Sequence, residues 1–194
     1  MIVLVRKQLN TFIKKAQFIL GFLLLFISCE KSLNNYIFSG NTMGTTYTIK
    51  LNFYHTSHQT SHIEKGIDSI LINLNQQMST WINDSEISLF NQNRSVELYK
   101  ISDEFFYVLQ QGNLINKKTD GAFDYTIFPL AELWGFGPGI KNDIEIPNIS
   151  DLEKVLQYVG INKVELDYPY IRKIHPKAQI DLNAIAKGYA VDIL

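Results

Sequence analysis

Between Thr45 and Tyr54 apolar and polar side chains alternate, with Tyr47, Ile49, Leu51 and Phe53 on one side and Thr46, Thr48, Lys50 and Asn52 on the other. A period of two predicts a half-buried strand. The period then changes. Ile63, Ile67, Ile70, Leu71, Leu74 and Met78 share one helical face, behind a Ser61-His-Ile-Glu64 capping-box spacing. The pattern predicts a helix from about Ser61 to Met78, with polar His55–Thr60 as the turn before it. Ser79–Arg94 reads as a loop plus a short helix, and Val96–Tyr99 as a short strand. Ser102 or Asp103 caps a helix carrying Phe105, Phe106, Leu109, Leu114 and Ile115, which Thr119-Asp-Gly121 stops.

Gly135, Gly137, Pro138 and Gly139 break the chain after Trp134. Ser150-Asp-Leu-Glu153 is a second capping box, opening a helix to about Tyr158 that Gly160 ends. Strands follow near Lys163–Asp167 and Tyr170–His175; Ile180-Asp-Leu182 ends a third, and Ala184–Leu194 begins a helix. Interspersed strands and helices without an internal repeat place the chain in a mixed class, α/β or α+β.

The first thirty residues follow neither period. Arg6, Lys7, Lys14 and Lys15 are the only charges before Glu30, and the apolar run Phe18–Ile27 follows them. The run is short for a permanent span, which needs ~20 apolar residues, and suits a signal-peptide core. It stops at Ser28-Cys29, and Cys29 is the only cysteine. A cysteine behind a small residue at this place resembles a bacterial lipoprotein box, although Phe26 stands where Leu is usual; the alternative is a plain signal anchor with an incidental cysteine. On the first reading residues 1–28 are a signal peptide, Cys29 is lipidated, and residues 29–37 are a lipid-anchored tether. The protein is then exported and membrane-anchored, facing the periplasm or cell exterior. An acyl chain gains ~0.8 kcal/mol per buried CH₂.

Composition adds exclusions. Of 194 residues 46% are hydrophobic and 19% charged, too apolar for whole-chain disorder. The leader holds four of the eighteen basic residues and no acid, so the 166 residues after it carry net charge −5. No basic field marks a nucleic-acid binder. A single cysteine excludes a disulfide framework. His55, His58, His62 and His175 read as surface residues, and no Ser/His/Asp motif is present.

Three segments hold candidate chemistry. Asn41-Thr-Met-Gly-Thr-Thr46 is a small-residue stretch before a strand, and Gly44 permits close backbone approach. Thr119–Gly137 groups Gly, Phe and Trp around Asp124, suited to a planar ring with Asp124 as acceptor, or else an aromatic core beside turns. Ile180–Asp192 leads into a helix start, where N–H groups favour anions and Lys187 reaches a phosphate. There Asp181 caps the helix, binds a ligand or helps neutralise a metal. The glycine spacing of Walker and dinucleotide fingerprints is absent.

Taken together, Thr42-Met-Gly-Thr-Thr-Tyr47, Met78-Ser-Thr-Trp81 with Asp84-Ser-Glu-Ile-Ser88, Thr119-Asp-Gly-Ala-Phe-Asp124 with Leu133-Trp-Gly-Phe-Gly137, and Asp181-Leu-Asn-Ala-Ile-Ala-Lys-Gly-Tyr-Ala-Val-Asp192 resemble the FAD:protein FMN transferases, or ApbE-like flavin transferases. The resemblance runs from about Phe38 to Leu194. It implies a T-fold-related α/β (α+β) architecture, incomplete at the C-terminus, and a magnesium-dependent reaction. FAD is cleaved at its pyrophosphate, FMN passes to a Thr or Ser hydroxyl of an exported flavoprotein, and AMP leaves. Implied acceptors include subunits of ion-pumping respiratory complexes.

By matching motif, Met43 and Trp81 would contact FAD, and Ala122, Phe123 and Asp124 would hold its ring systems. Asp181 and Lys187 would also touch it, and Ala184 would offer its carbonyl to Mg²⁺. No catalytic residue is carried over. Tyr125 and Asn183 stand where the family commonly has Pro and Gly. The family's later half, with an Asp and a Thr for the metal, has no counterpart in this sequence, so residues 38–194 are expected to be the N-terminal part of a longer domain. The competing expectation is an exported lipoprotein that binds FAD without transferring it.

Overall fold

A computed structural model describes residues 33–53, 57–138 and 146–194. Two strands, β1 (Asn34–Thr42) and β2 (Thr45–Phe53), pair as a hairpin. On β2 the alternation holds: Tyr47, Ile49, Leu51 and Phe53 are half-buried and their neighbours exposed. β1 takes in Asn34–Ile37, which the sequence reading gave to the tether, and its Phe38 is buried. The chain packs as two units. The described part of the smaller is residues 33–36 and 50–53, where Tyr36 and Phe53 rings lie 4.7 Å apart. Everything below concerns the larger unit, Ile37–Ile49 with Ser57–Leu194.

Helix α1 runs Ser57–Met78, a turn earlier than the capping-box spacing predicts. Nothing in Ser57–Ser61 stops a helix, since polar residues without Pro or Gly propagate it, and Ser61 lies inside it. Ile67, Leu71, Leu74 and Met78 are buried on its inner face. Each such side chain contributes about 1.5–3 kcal/mol of burial. α2 (Glu86–Gln92) is capped by Ser85, whose hydroxyl accepts from Ser88 N at 3.2 Å.

α3 (Asp103–Lys118) starts after Ser102, but the Ser102 hydroxyl caps nothing. It donates to Glu86 Oε2 at 2.6 Å while Ser102 N donates to Glu86 Oε1, binding the start of α3 to that of α2. Phe105, Phe106 and Leu109 are buried as expected; Leu114 is half-exposed instead, because it falls off their face. Asp120 and Gly121 end the helix with positive φ.

A short helix the periodicity did not predict, α4 (Phe128–Leu133), carries Pro129 in its first turn, where no N–H is missed. α5 spans Ile149–Leu156 and is capped by Asn148, whose Oδ1 accepts from Asp151 N at 2.9 Å, rather than by Ser150. It stops at Gln157, short of Gly160, which instead opens a 3₁₀ turn, Ile161–Lys163. β3 (Tyr99–Lys100), β4 (Val164–Asp167) and β5 (Tyr170–Lys173) form an antiparallel sheet in the order β3-β5-β4. Tyr99 faces Ile171, and Leu166 also faces Ile171. α6 (Ala186–Ile193) follows a turn at 183–185, two residues later than expected.

The third strand expected to end at Ile180-Asp-Leu182 does not form, although the segment alternates in burial. Ala178, Ile180 and Leu182 are fully buried, but their backbone finds no ladder; the Asn91 side chain and the Tyr125 carbonyl serve it instead. Among the described residues no helix is long and apolar enough to cross a membrane.

Lys173 at the end of β5 is 2% exposed. Its ammonium donates to the Asn91 and Asn93 carbonyls at 3.3 and 2.6 Å and lies 4.7 Å from the centre of the Phe90 ring. It thereby caps the C-terminus of α2, where the helix dipole favours a cation. Burial, helped by the Arg94 charge, pushes its pKa down to about 8. From about pH 8 to the ordinary lysine value the unfolded chain therefore binds the extra proton, and Lys173 makes stability rise with pH. In thermal unfolding from pH 8 to 10, Lys173→Met is expected to remove that rise. Parallel curves for the two proteins would contradict it.

Candidate functional site

Met43 and Gly44 are the central residues of the hairpin turn, with φ of 49° and 69°. Two positive φ angles are what a type I′ turn requires, and they match the twist of the flanking strands. Gly44 takes the conformation freely, whereas Met43 in the left-handed region costs about 1–2 kcal/mol. Asn75 of α1 donates to Thr42 Oγ1 at 2.8 Å, so the turn is held over the end of α1.

Under it lies a small cleft of about 20 Å³, room for about one water molecule, partly open to solvent. Met43, Trp81 and Lys187, three residues named by motif, converge there with Met78, Ser79, Asn183 and Ala186. Trp81 is 55% exposed and presents apolar area to the cleft. Lys187, the second residue of α6, makes no ion pair among the described residues. The cleft is too small to enclose a ring, and the aromatic face, two thioethers and uncommitted cation at its rim are what a flat ring with an anionic group would meet from solvent.

The remaining candidates stand along one connected edge. Asp181 N donates to Tyr125 O at 2.7 Å, which joins the 119–126 segment to the 181–187 segment. The Asp181 carboxylate accepts from Asn183 N at 2.6 Å and from Asn183 Nδ2 at 3.1 Å. The second bond needs the Asn side chain, so Asn183 in place of Gly locks this turn onto Asp181. Asp124 Oδ1 accepts from Thr126 N and Oγ1 at 2.7 and 2.6 Å. One of its oxygens thus organises its own turn, and Oδ2 is left for a ligand among the described residues.

Phe123 is half-buried, its carbonyl taking Asn116 Nδ2 at 2.6 Å, and Ala122 is exposed beside it. Neither lines the cleft. Tyr125 is 1% exposed, with its hydroxyl on Asn113 Oδ1 at 2.9 Å; burial first, then the Asp124 charge, pushes its pKa up. Its ring leaves no room at Gly112, where a Cβ would come within 2.6 Å.

Ala184 is exposed, and its carbonyl accepts no hydrogen bond among the described residues. A bare carbonyl is a hard oxygen donor of the kind Mg²⁺ uses. Among the described residues no three His, Cys, Asp or Glu side chains cluster for a metal. Ala184 therefore offers one oxygen donor, and no acidic cluster stands with it among the described residues. Cys29, His55, Gly139 and residues 1–28 lie outside the described residues, as does the His58 side chain. His62 is exposed, and His175 stacks on Tyr158 at 5.2 Å.

The sequence reading passed over two buried polar residues. Thr126 links Asp124 to Gly160 N, and Asn91 fastens Ile180. Asn91 leaves one trace in the sequence, a polar residue four positions after Ile87 on the buried face of α2.

Met43 tests whether the turn is built for folding or for the cleft. Met43→Asn supplies the Asn-Gly pair that type I′ turns favour. The variant is expected to unfold at a higher temperature by about 1 kcal/mol of relieved strain. An unchanged or lower midpoint in calorimetry would show that Met43 is not strained.

The ApbE family pattern matches residues 43–194. A FAD:protein FMN transferase of Vibrio cholerae serotype O1 is 37% identical over 175 residues, covering 90% of this chain and 52% of that relative. One from Haemophilus influenzae is 40% identical over 174 residues, covering 85% and 49%. Among solved structures, the flavin transferase ApbE from Vibrio cholerae superposes with a TM-score of 0.77 at 36% identity, over 83% of this chain and 52% of that one. Apo Pseudomonas stutzeri flavinyl transferase ApbE gives 0.76 at 31% identity, over 83% and 51%. The chain spans about half the length of the curated relatives it matches. The mixed helix-and-strand fold agrees with these structures, and the match over residues 43–194 places the chain in the ApbE family.

Proposed function

We propose that the protein carrying this chain is a magnesium-dependent FAD:protein FMN transferase. The observation that carries the reading is the convergence of Met43, Trp81 and Lys187 on one cleft in a chain of the ApbE family. The acceptor is an exported flavoprotein with a reactive Thr or Ser, such as a subunit of an ion-pumping respiratory complex. Its hydroxyl oxygen bonds to the FMN phosphorus, the pyrophosphate P–O bond to the AMP side breaks, and AMP departs with the bridging oxygen. The hydroxyl proton passes to base or solvent.

Such a transfer needs positioning and charge neutralisation more than covalent help. Trp81 and Met43 hold a flat ring by apolar contact, and Lys187 meets a phosphate oxygen. Asp124 Oδ2 and the Ala122–Phe123 backbone offer polar partners to the ring systems, while Asp181 holds the turn that ends at Ala184. The Ala184 carbonyl would be one oxygen ligand of Mg²⁺, which when bound neutralises pyrophosphate charge.

The protein carrying this chain, incubated with FAD, Mg²⁺ and a Thr-bearing acceptor, is expected to leave covalent flavin fluorescence on the acceptor and release AMP in equal amount. Lys187→Ala is expected to raise the FAD requirement tenfold or more, as loss of a charged hydrogen bond of about 1.5–3 kcal/mol implies. FAD binding without acceptor labelling would instead favour a flavin-holding lipoprotein. The lack of a three-residue carboxylate, His or Cys cluster among the described residues motivates that second reading.

The export reading has its own test. Labelled palmitate is expected to enter the wild-type protein and to be lost in Cys29→Ser. Label retained in the variant would exclude Cys29 as the anchor.

A further inference from the structure

Asn91, at the last turn of α2, is 3% exposed and spends its whole side chain on one distant residue. Its Nδ2 donates to Ile180 O and its Oδ1 accepts from Ile180 N, both at 2.8 Å. Because Ile180 presents one donor and one acceptor, these bonds also fix which end of the amide is which. Asn91 thus takes the place of a neighbouring strand at Ile180, in the middle of the buried Ala178–Leu182 thread. The helix end bearing it is fixed in turn, by Lys173 on the Asn91 and Asn93 carbonyls. The next residue, Asp181, is held by Tyr125 O and holds Asn183, and Ala184 follows.

We propose that Asn91 is a positioning residue: by pairing with Ile180 it sets where Asp181, Asn183 and Ala184 stand, and so governs binding of a divalent cation and a diphosphate at the exposed 181–187 turn beside the cleft. The identity of those ligands rests on the transferase reading; the positioning itself does not. A buried amide with both groups satisfied is worth several times its net bond energy when truncated, since two backbone groups are orphaned with it.

The test uses the full protein as wild type, Asn91→Ala, Asn91→Asp and Val108→Ala, the last a core truncation on α3. Asn91→Asp keeps an acceptor for Ile180 N but sets an oxygen against Ile180 O in place of the donor, a second way of breaking the pairing. Two readouts are taken: hydrogen exchange over residues 180–185, and the Mg²⁺ concentration giving half-maximal FAD binding. At matched loss of thermal stability, Asn91→Ala and Asn91→Asp are each expected to raise both tenfold or more, and Val108→Ala neither.

Equal changes in Val108→Ala, or no change in the Asn91 variants, overturn the proposal. So does faster exchange with an unchanged Mg²⁺ requirement. If wild type binds no FAD, the transferase reading falls, and exchange alone decides whether Asn91 positions the segment.

Discussion

The structure of the larger unit turns on a backbone that has to be satisfied in the dark. Ala178, Ile180 and Leu182 are fully buried in a thread with no neighbouring strand among the described residues. A buried N–H or C=O without a partner costs about as much as a lost hydrogen bond, so the thread holds only if something else supplies partners. The Asn91 amide and the Tyr125 carbonyl do so. Through these contacts α2, the aromatic 119–126 segment and the start of α6 meet at one place.

What stands on that thread is the candidate edge. Asp181 and Asn183 form a closed turn, Ala184 presents an unbonded carbonyl, and α6 then carries Lys187 into the cleft. The opposite wall comes from the hairpin, whose type I′ turn puts Met43 in a conformation that Asn or Gly would take more readily. Strain at a cleft residue and hydrogen bonds converging on a loop rather than a sheet are where a fold gives up local comfort for a site.

Much of this was legible in the sequence, for reasons that differ by element. α1 and β2 show because one face of each is buried and the other wet, which prints a period on the chain. Their ends do not show as well. Ser61 and Ser150 have capping spacing, yet the helices begin at Ser57 and Ile149, since cap chemistry permits a start without enforcing one. α4 escaped because six residues with Pro129 are too few to display a period. Met43, Trp81 and Lys187, named by motif, converge on one cleft, and Ala122 and Phe123, named the same way, stand away from it. Asn91 and Thr126 went unseen, because their partners lie 89 and 34 residues away.

The sequence by itself determined the periodic elements, the mixed fold class and the identity of the motif residues, because burial periodicity and turn chemistry act between near neighbours. Only the tertiary structure decided that Ile180–Leu182 is a solitary buried thread rather than a strand, that Asn91 is its partner, and that Asp124 spends an oxygen on its own turn. Alternation in burial says which side chains face inward. It does not say what meets the backbone between them, and that depends on groups that folding brings from far along the chain.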